Sequence, residues 1–270
     1  MDTITEPIVE PTVSILGSRV HLLSTKRTVD YIENWIRLRD GNCRQIVATG
    51  FHGLLEASKN DTVHAALNRA ELWVPDGIAP VWIARLRGHR DAVRSPGPEI
   101  FAEFLKRANL NGHSSYFYGD TDQTLAALDE VVRARYPGHR VAGSYSPPFR
   151  TLTPEEDQAI IDRINEARPD VLWVALGLPK QEIWIHDRSS RLKVPVAIGV
   201  GAAFAFVAGT VPRCPKWIGR AGFEWVFRLL AEPKKLWRRD FFDGPLFIYH
   251  AGLELLRNEP PTDRRPNAPE

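Results

Sequence analysis

Residues 170–200 read DVLWVALGLPKQEIWIHDRSSRLKVPVAIGV, two apolar runs separated by a helical pattern. The runs at 170–176 and 194–200 are short and rich in β-branched residues, which predicts buried strands. The residues between them, 181–191, are expected to form a helix. A strand, a helix and a second strand in this order are typical of a parallel sheet that is covered by helices.

The same alternation extends through most of the chain. Further strands are predicted at residues 44–49, 71–75, 114–119 and 140–144, and a small hairpin at residues 13–22. Helices are predicted at residues 28–38, 62–70, 78–86, 99–108, 121–135 and 154–167. The expected fold class is therefore α/β, with a mostly parallel sheet and helices on both of its faces.

The composition of the chain changes after about residue 209. Eight lysines and arginines but only two glutamates lie between positions 213 and 239, a local net charge of +6 in a chain of net charge +2. We therefore expect a main α/β domain at residues 1–210, a helical basic appendage at 211–257 and a disordered tail at 258–270. A local basic field favours an anionic partner, such as a phosphate group, a lipid surface or a nucleic acid.

Cysteine content and hydropathy limit the class of protein further. Cys43 and Cys214 are too far apart to suggest a zinc site or a disulfide framework, which fits a reducing compartment. The acidic N-terminus does not resemble a signal peptide, and no stretch has the roughly 18 apolar residues that a membrane span requires. We therefore expect a cytoplasmic protein whose contact with a membrane is peripheral.

Asp76 directly follows a predicted strand, at the edge where parallel sheets bind ligands. The commoner role of such a residue is to cap the following helix, because aspartate accepts hydrogen bonds from the first backbone amides. A carboxylate held at a strand end could also act as a general base. The sequence leaves both roles open.

Two loops after the last strands also carry polar groups or glycines. Lys180 and Gln181 begin a predicted helix, where they could bind a phosphate or a sugar hydroxyl or simply face solvent. Residues 199–204, GVGAAF, imitate a dinucleotide fingerprint, but Phe204 replaces its last glycine, which argues against NAD. Gly201 more simply permits close approach of a ligand to the backbone.

Other strand-end residues are weaker candidates. Thr49 and His52 lie in a predicted loop at residues 49–53 and could contact a sugar or a diphosphate, while Arg94 could bind phosphate through its guanidinium group. Asp120 and Asp122 imitate an Asp-x-Asp metal motif, but we expect Asp120 to cap the helix that follows. No metal site is predicted.

Taken together, these segments resemble the WecG/TagA/CpsF family of bacterial glycosyltransferases. The matching blocks are residues 74–78 (VPDGI), 94–99 (RSPGPE), 169–182 (PDVLWVALGLPKQE), 198–204 (IGVGAAF) and 213–234, which contains EWVFRLL and EPK. They occur in family order across roughly residues 45–240. The blocks around Gln181 and Trp225 are the most specific.

The resemblance implies a Rossmann-like core and an inverting transfer that uses no metal or other cofactor. The implied donor is a UDP-sugar such as UDP-N-acetylmannosamine, and the implied acceptor is a sugar linked to polyprenyl diphosphate at the inner face of the plasma membrane. Asp76 corresponds to the proposed base and Gln181 to a substrate-binding residue. Arg213 and Arg220 match appendage arginines that face the donor diphosphate, and the other implied substrate contacts are Thr49, His52, Arg94 and Gly201.

The chain departs from the family pattern at several positions, which puts the donor sugar in doubt. His52 stands near a usual asparagine, Glu99 replaces an aspartate, and Ala205 removes a carboxylate. The alternatives to a transferase are a non-catalytic nucleotide-sugar-binding protein at the membrane and a nucleotide-sugar epimerase or dehydrogenase. Nucleic-acid binding is not expected, because the cations alternate with membrane-type aromatics and no reader motif is present. The appendage is expected to contact an anionic bilayer, although its aromatic side chains could instead pack on the core. The sequence leaves open whether the protein assembles into a homo-oligomer.

Overall fold

The computed structural model describes residues 10–212, 214–215, 227, 229 and 239–257. The expected disordered tail and most of the basic segment lie outside the described residues. In the described part the chain forms eight strands, and its helices surround the larger of two sheets.

The elements follow the alternating order that the sequence predicts. The strands are β1 Thr12–Ile15, β2 Ser18–His21, β3 Arg44–Thr49, β4 Leu72–Pro75, β5 Ser114–Gly119, β6 Arg140–Tyr145, β7 Val171–Ala175 and β8 Val196–Gly199. The helices are α1 Thr25–Leu38, α2 Phe51–Lys59, α3 Asp61–Asn68, α4 Ile78–Leu86, α5 Gly97–Asn111, α6 Asp122–Arg135, α7 Pro154–Ala167, α8 Lys180–Arg188 and α9 Ala203–Ala208. Near the C-terminus, a π-helical turn at Arg239–Asp243 leads into helix α10, Gly244–Arg257.

Six strands form one parallel sheet in the order β4-β3-β8-β7-β5-β6. The registers bring the carboxyl ends of neighbouring strands together: Thr49 pairs with Pro75, Val47 with Gly199, and Gly119 with Ala175. This arrangement confirms the predicted Rossmann-like α/β class. It also places the loops after β3, β4, β7 and β8 along one edge of the sheet.

Both faces of this sheet are buried. Alternate residues of β7 enter different clusters, so that Trp173 packs with α1, α5 and α9 while Leu172 packs with α7 and α8. Both side chains are fully buried. Burial of a large apolar side chain contributes about 1.5–3 kcal/mol, which explains why the strands are nearly continuous apolar runs.

The hairpin predicted at residues 13–22 is confirmed as β1 and β2. Its turn residues, Leu16 and Gly17, both have positive φ, as a tight hairpin with a right-handed twist requires. The hairpin packs beside β4, and together with α2 and α4 it forms the core cluster that receives the C-terminal helix.

Helix α10 is anchored to this cluster at two points. Phe247 and Ala251 are buried in it, and the ring of Phe247 lies 5.9 Å from that of Phe51. The carboxylate of Glu254 accepts a hydrogen bond of 2.7 Å from the backbone N–H of Leu16 and forms a 2.6 Å ion pair with Arg87. The C-terminal helix therefore packs directly against elements from the first third of the chain.

The loop predicted at residues 49–53 is wrong, because helix α2 begins at Phe51. Its N-cap residue, Gly50, has no side chain to cap the helix, so the sequence carries no capping signal for the start of α2. Gly53 is needed inside the helix, since a Cβ atom there would lie 2.4 Å from the side chain of Thr49. Close packing of α2 on β3 thus explains the glycine at position 53, which the sequence suggested was a loop residue.

The expected cap of α6 is also displaced by one residue. The helix begins at Asp122, and the hydroxyl of Thr121 accepts the capping hydrogen bond from Thr124. Asp120 has a positive φ and accepts a hydrogen bond from the backbone N–H of Thr121. Its carboxylate stabilises the turn before the helix rather than the helix itself.

No helix in the described parts of the chain combines the length and the apolar character that crossing a bilayer requires.

Candidate functional site

The loops after β3 and β4 are in direct backbone contact. The N–H of Asp76 donates a hydrogen bond of 3.2 Å to the carbonyl of Thr49. A Cβ atom on Gly50 would lie 3.5 Å from the Cα of Gly77, so the two glycine backbones pack against each other. This contact holds Asp76 at the carboxyl edge of the sheet, next to the start of α2.

Asp76 does not occupy the N-cap position of helix α4. That position is held by Gly77, which has no side chain to provide a capping hydrogen bond. The interpretation of Asp76 as the N-cap residue is therefore wrong. Its side chain is partly exposed at the strand end, where a carboxylate can meet a ligand.

The segment before α5 lies alongside the same edge. The N–H of Ser95 donates to the carbonyl of Pro75 at 2.7 Å, and the buried hydroxyl of Ser95 lies 3.2 Å from that of Thr28. These bonds hold the backbone of the neighbouring Arg94, which is half-buried, close in space to the end of β4. The start of α5 then packs against the loop after β8, because a Cβ on Gly97 would lie 3.5 Å from the Cα of Val200.

Gln181 connects the loops after β7 and β8. Its side-chain oxygen accepts hydrogen bonds from the backbone N–H groups of Gly177 and Gly201, both at 3.2 Å. Its Nε2 donates to the carboxyl Oε1 of Glu182 at 2.8 Å. Gln181 is 3% exposed, so the structure places most of this side chain between the loops rather than at the surface.

Glu182 is a buried acid beneath these loops. It is fully buried, and desolvation raises the pKa of its carboxyl to about 7, opposed by the hydrogen bond from Gln181. Its carbonyl accepts a 3.0 Å hydrogen bond from the side chain of Gln45 in β3. The sequence analysis assigned Glu182 no role of its own, because residue type alone does not reveal burial.

Thr49 and His52 lie on either side of the start of α2. The side chain of Thr49 is 5% exposed and packs against Gly53. The Nδ1 atom of His52 lies 3.2 Å from Asp243 Oδ2, and Lys59 Nζ lies 3.6 Å from the other oxygen of that carboxylate. The side chains of α2 therefore reach the C-terminal segment, a contact that the sequence did not suggest.

This contact also gathers three residues with metal-ligating atoms. Such atoms of His52, Glu56 and Asp243 lie within 4.8 Å of one another. Lys59 already supplies a positive charge to Asp243, so an ion-pair network accounts for the cluster. The i, i+4 spacing of His52 and Glu56 was visible in the sequence, whereas the approach of Asp243 was not.

Asp170, although it belongs to one of the matching sequence blocks, lies at the opposite, amino-terminal edge of the sheet. Its carboxylate accepts hydrogen bonds from the N–H and hydroxyl of Ser114, at 2.7 and 2.8 Å, and forms an ion pair with Arg39. Its role is to join the starts of β5 and β7. Of the other predicted site residues, Arg213 and Arg220 lie outside the described residues.

The amino-acid sequence matches a known family. The family model described as "Glycosyl transferase WecG/TagA/CpsF family" matches residues 13–261. The chain belongs to this family. It is accordingly a glycosyltransferase, as the resemblance implied. The candidate site lies at the carboxyl edge of the parallel sheet, the edge at which α/β proteins generally bind ligands.

Three relatives within the WecG/TagA/CpsF family illustrate the similarity. A protein of Bacillus spizizenii is 34% identical over 184 residues, which cover 68% of this chain and 69% of the relative. A Bacillus subtilis protein is 32% identical over 206 residues, 75% of each chain. A Staphylococcus aureus protein is 27% identical over 237 residues, 88% of this chain and 91% of the relative. All three are named N-acetylglucosaminyldiphosphoundecaprenol N-acetyl-beta-D-mannosaminyltransferase.

Proposed function

We propose that this glycosyltransferase moves an N-acetylmannosamine-type sugar, or a related hexose, from a UDP-sugar to a sugar linked to polyprenyl diphosphate. The names of the three relatives support the transferred sugar and the lipid-linked acceptor. The product would enter a bacterial cell-surface polysaccharide. The reaction would take place at the inner face of the plasma membrane, where such acceptors are accessible to a peripheral enzyme.

The observation that carries the proposal is the position of Asp76. It lies at the carboxyl end of β4, is partly exposed, and directly precedes Gly77, the N-cap residue of α4. In the proposed single displacement, this carboxylate accepts the proton of the acceptor hydroxyl while the oxygen attacks the anomeric carbon. The bond from that carbon to the UDP oxygen breaks, which gives inversion at the anomeric centre.

The leaving diphosphate needs positive charge or hydrogen-bond donors. Arg94 is held near the end of β4 by the hydrogen bond of Ser95 to Pro75. The N-termini of α5 and α8 begin beside the same edge and contribute partial positive charge. We assign the remaining charge to Arg213 and Arg220, with Thr49, His52, Gln181 and Gly201 completing the substrate contacts or the loops that make them.

The described C-terminal segment supports contact with a lipid surface. Phe241, Phe242, Ile248 and Tyr249 are each more than 60% exposed, while Phe247 between them is buried in the core. A helix that is anchored on one side and apolar on the other is suited to lie at a bilayer interface. The basic residues at positions 213–239 would add attraction to anionic lipids, about 1 kcal/mol for each cation near the surface.

A donor screen tests this function. Release of UDP would be measured for a set of UDP-sugars with a short polyprenyl-diphosphate-linked N-acetylglucosamine acceptor, with and without EDTA. We expect acceptor-dependent release with UDP-N-acetylmannosamine or a related donor, and little effect of EDTA. UDP release at the same rate with and without the acceptor would refute the assignment as a transferase to this acceptor. Strong inhibition by EDTA would refute the metal-independent mechanism.

A further inference from the structure

We infer that Glu182 is a positioning residue: it fixes the side-chain amide of Gln181, and through it the spacing of the loops after β7 and β8. This inference rests on the proposed function, in which those loops border the donor. It concerns a residue that does not itself touch the substrate.

The first step is the pair of hydrogen bonds by which the Gln181 side chain connects two loops. Its oxygen accepts hydrogen bonds from Gly177, which follows β7, and from Gly201, which follows β8. Gly177 and Gly201 both have positive φ, so each marks a sharp turn of the backbone. One acceptor atom thus sets the distance between two turns that lead into α8 and α9.

The second step is the choice between the two orientations of the amide. Rotation by 180° would place the Nε2 of Gln181 against two N–H donors, which cannot accept its hydrogens. The carboxyl of Glu182 selects the productive orientation, because its Oε1 accepts from Nε2 at 2.8 Å. A flipped amide would bring two oxygens together at this point.

The third step is that Glu182 is buried without a paired cation among the described residues. Glu182 has 0% exposure, and its second oxygen, Oε2, has no hydrogen-bond partner among the described residues. Burial of a carboxyl without a paired cation destabilises a fold. A residue that costs stability and holds a site residue by a hydrogen bond fits a role in positioning.

The fourth step is the space provided by Gly199. A Cβ atom at this position would lie 2.5 Å from Nε2 and 2.9 Å from two carbons of the Gln181 side chain. The end of β8 is therefore shaped around the amide. Glycine at 199, glutamine at 181 and glutamate at 182 act as one unit.

The test compares three variants by hydrogen exchange at Gly177 and Gly201, by thermal unfolding and by kcat and KM for the donor. Gln181→Leu removes both hydrogen bonds to the loops and so measures the full effect of losing this connection on exchange, stability and activity. Glu182→Leu removes only the orienting acceptor, and Glu182→Gln keeps an acceptor oxygen. Glu130→Leu, an exposed site on α6, controls for replacing an acid by leucine.

We expect Glu182→Leu to expose both glycine amides to faster exchange and to lower kcat/KM by about 10- to 100-fold, the value of one or two hydrogen bonds. Its melting temperature should be equal to or above that of the wild type, because a buried ionisable group is lost. Glu182→Gln should retain protection of both glycines and most of the activity. This combination of undiminished stability and lower activity is not expected of a merely structural residue.

Normal exchange at both glycines in Glu182→Leu would overturn the inference, whatever its activity. So would a fall in stability that accounts for the whole loss of activity. Faster hydrogen exchange at the two glycines with an unchanged rate of sugar transfer would overturn the role of these loops in the reaction. The UDP-release screen of the wild type tests the proposed function separately. If Glu182→Leu does not fold, Glu182→Met provides a second apolar replacement for the same measurements.

Discussion

The amide of Gln181 occupies the space that a side chain at Gly199 would need, since a Cβ there would lie 2.5 Å from Gln181 Nε2. Gly199→Ala should therefore displace the amide from its contacts with Gly177 and Gly201. Overpacking of this kind costs about 1–3 kcal/mol. We expect a lower free energy of unfolding in urea and a larger relative loss of kcat/KM.

A matched control for this variant is Gly252→Ala in helix α10, where nothing lies within 4 Å of the added Cβ. Alanine there should leave stability unchanged or raise it by up to about 1 kcal/mol through helix propensity. Equal effects of the two variants would show that the space at Gly199 is not used as described.

Asp76→Asn should lower kcat by about 10²–10⁴-fold, the usual contribution of a general base. The amide keeps the size of the side chain but cannot accept the proton, so UDP binding measured by calorimetry should be nearly unchanged. Asp91→Asn, at an exposed position in the turn after α4, is the control and should transfer sugar at the wild-type rate. A normal rate in Asp76→Asn would exclude this residue as the base.

Glu182 should make the stability of the wild type depend on pH. Its pKa is about 7 in the folded chain and 4.5 without burial. The stabilisation associated with the protonated carboxyl is therefore fully present below pH 4.5 and is lost as the pH rises through 7. Relative to Glu182→Gln, the wild type should lose on the order of 3 kcal/mol between pH 4.5 and pH 8.

Urea unfolding of both proteins at pH 5 and pH 8 checks this difference. The two proteins should be closer in stability at pH 5 and further apart at pH 8, with Glu182→Gln the more stable. A constant difference would mean that Glu182 does not titrate in this range.

Phe247 and Ile248 are neighbours on α10 with opposite environments, 3% and 71% exposed. Phe247→Ala should destabilise the packing of α10 by about 3–5 kcal/mol, as loss of a buried aromatic ring does, and should speed hydrogen exchange in the helix. Ile248→Ser should leave exchange unchanged but weaken co-sedimentation with anionic vesicles. Equal vesicle binding by Ile248→Ser and the wild type would argue against a lipid-facing role for this side of α10.

Asp170→Ala should lower stability by several kcal/mol without a specific effect on transfer. The variant leaves the hydroxyl and N–H of the buried Ser114 without their acceptor, and each such loss costs about 1–3 kcal/mol. Transfer by the folded fraction should retain the wild-type KM for the donor. A raised KM without loss of stability would instead place Asp170 at the site.

The sequence predicted the central strands well because they are compact runs whose residues are almost all buried between the two layers of helices. The strands at Arg44–Thr49 and Ser114–Gly119 were predicted to the residue. Helix α2 was missed because Gly50 and Gly53 favour a loop locally, and only packing of Gly53 on Thr49 explains the helix. Local preference was overridden there by a tertiary contact.

The candidate site was predicted only in part, because some of its contacts also depend on tertiary packing. The rule that ligands bind at strand ends placed Asp76, Gln181 and Gly201 at one edge of the sheet. It could not show that Gln181 contacts Gly201, or that Asp243 approaches His52, because both contacts depend on the packing of distant segments. The N-cap position was assigned to Asp76 on residue preference alone, whereas the structure places Gly77 there.

The packing of α10 on the hairpin has a consequence for synthesis of the chain. The hydrogen bond between Leu16 and Glu254 joins positions 238 residues apart, so it can form only after the chain through residue 254 has left the ribosome. Phe51 and His52, at the start of α2, likewise meet Phe247 and Asp243 only at that stage. A product terminated before residue 243 would present the start of α2 without these partners, so this part of the candidate site is assembled only after residues 243–257 have been synthesised.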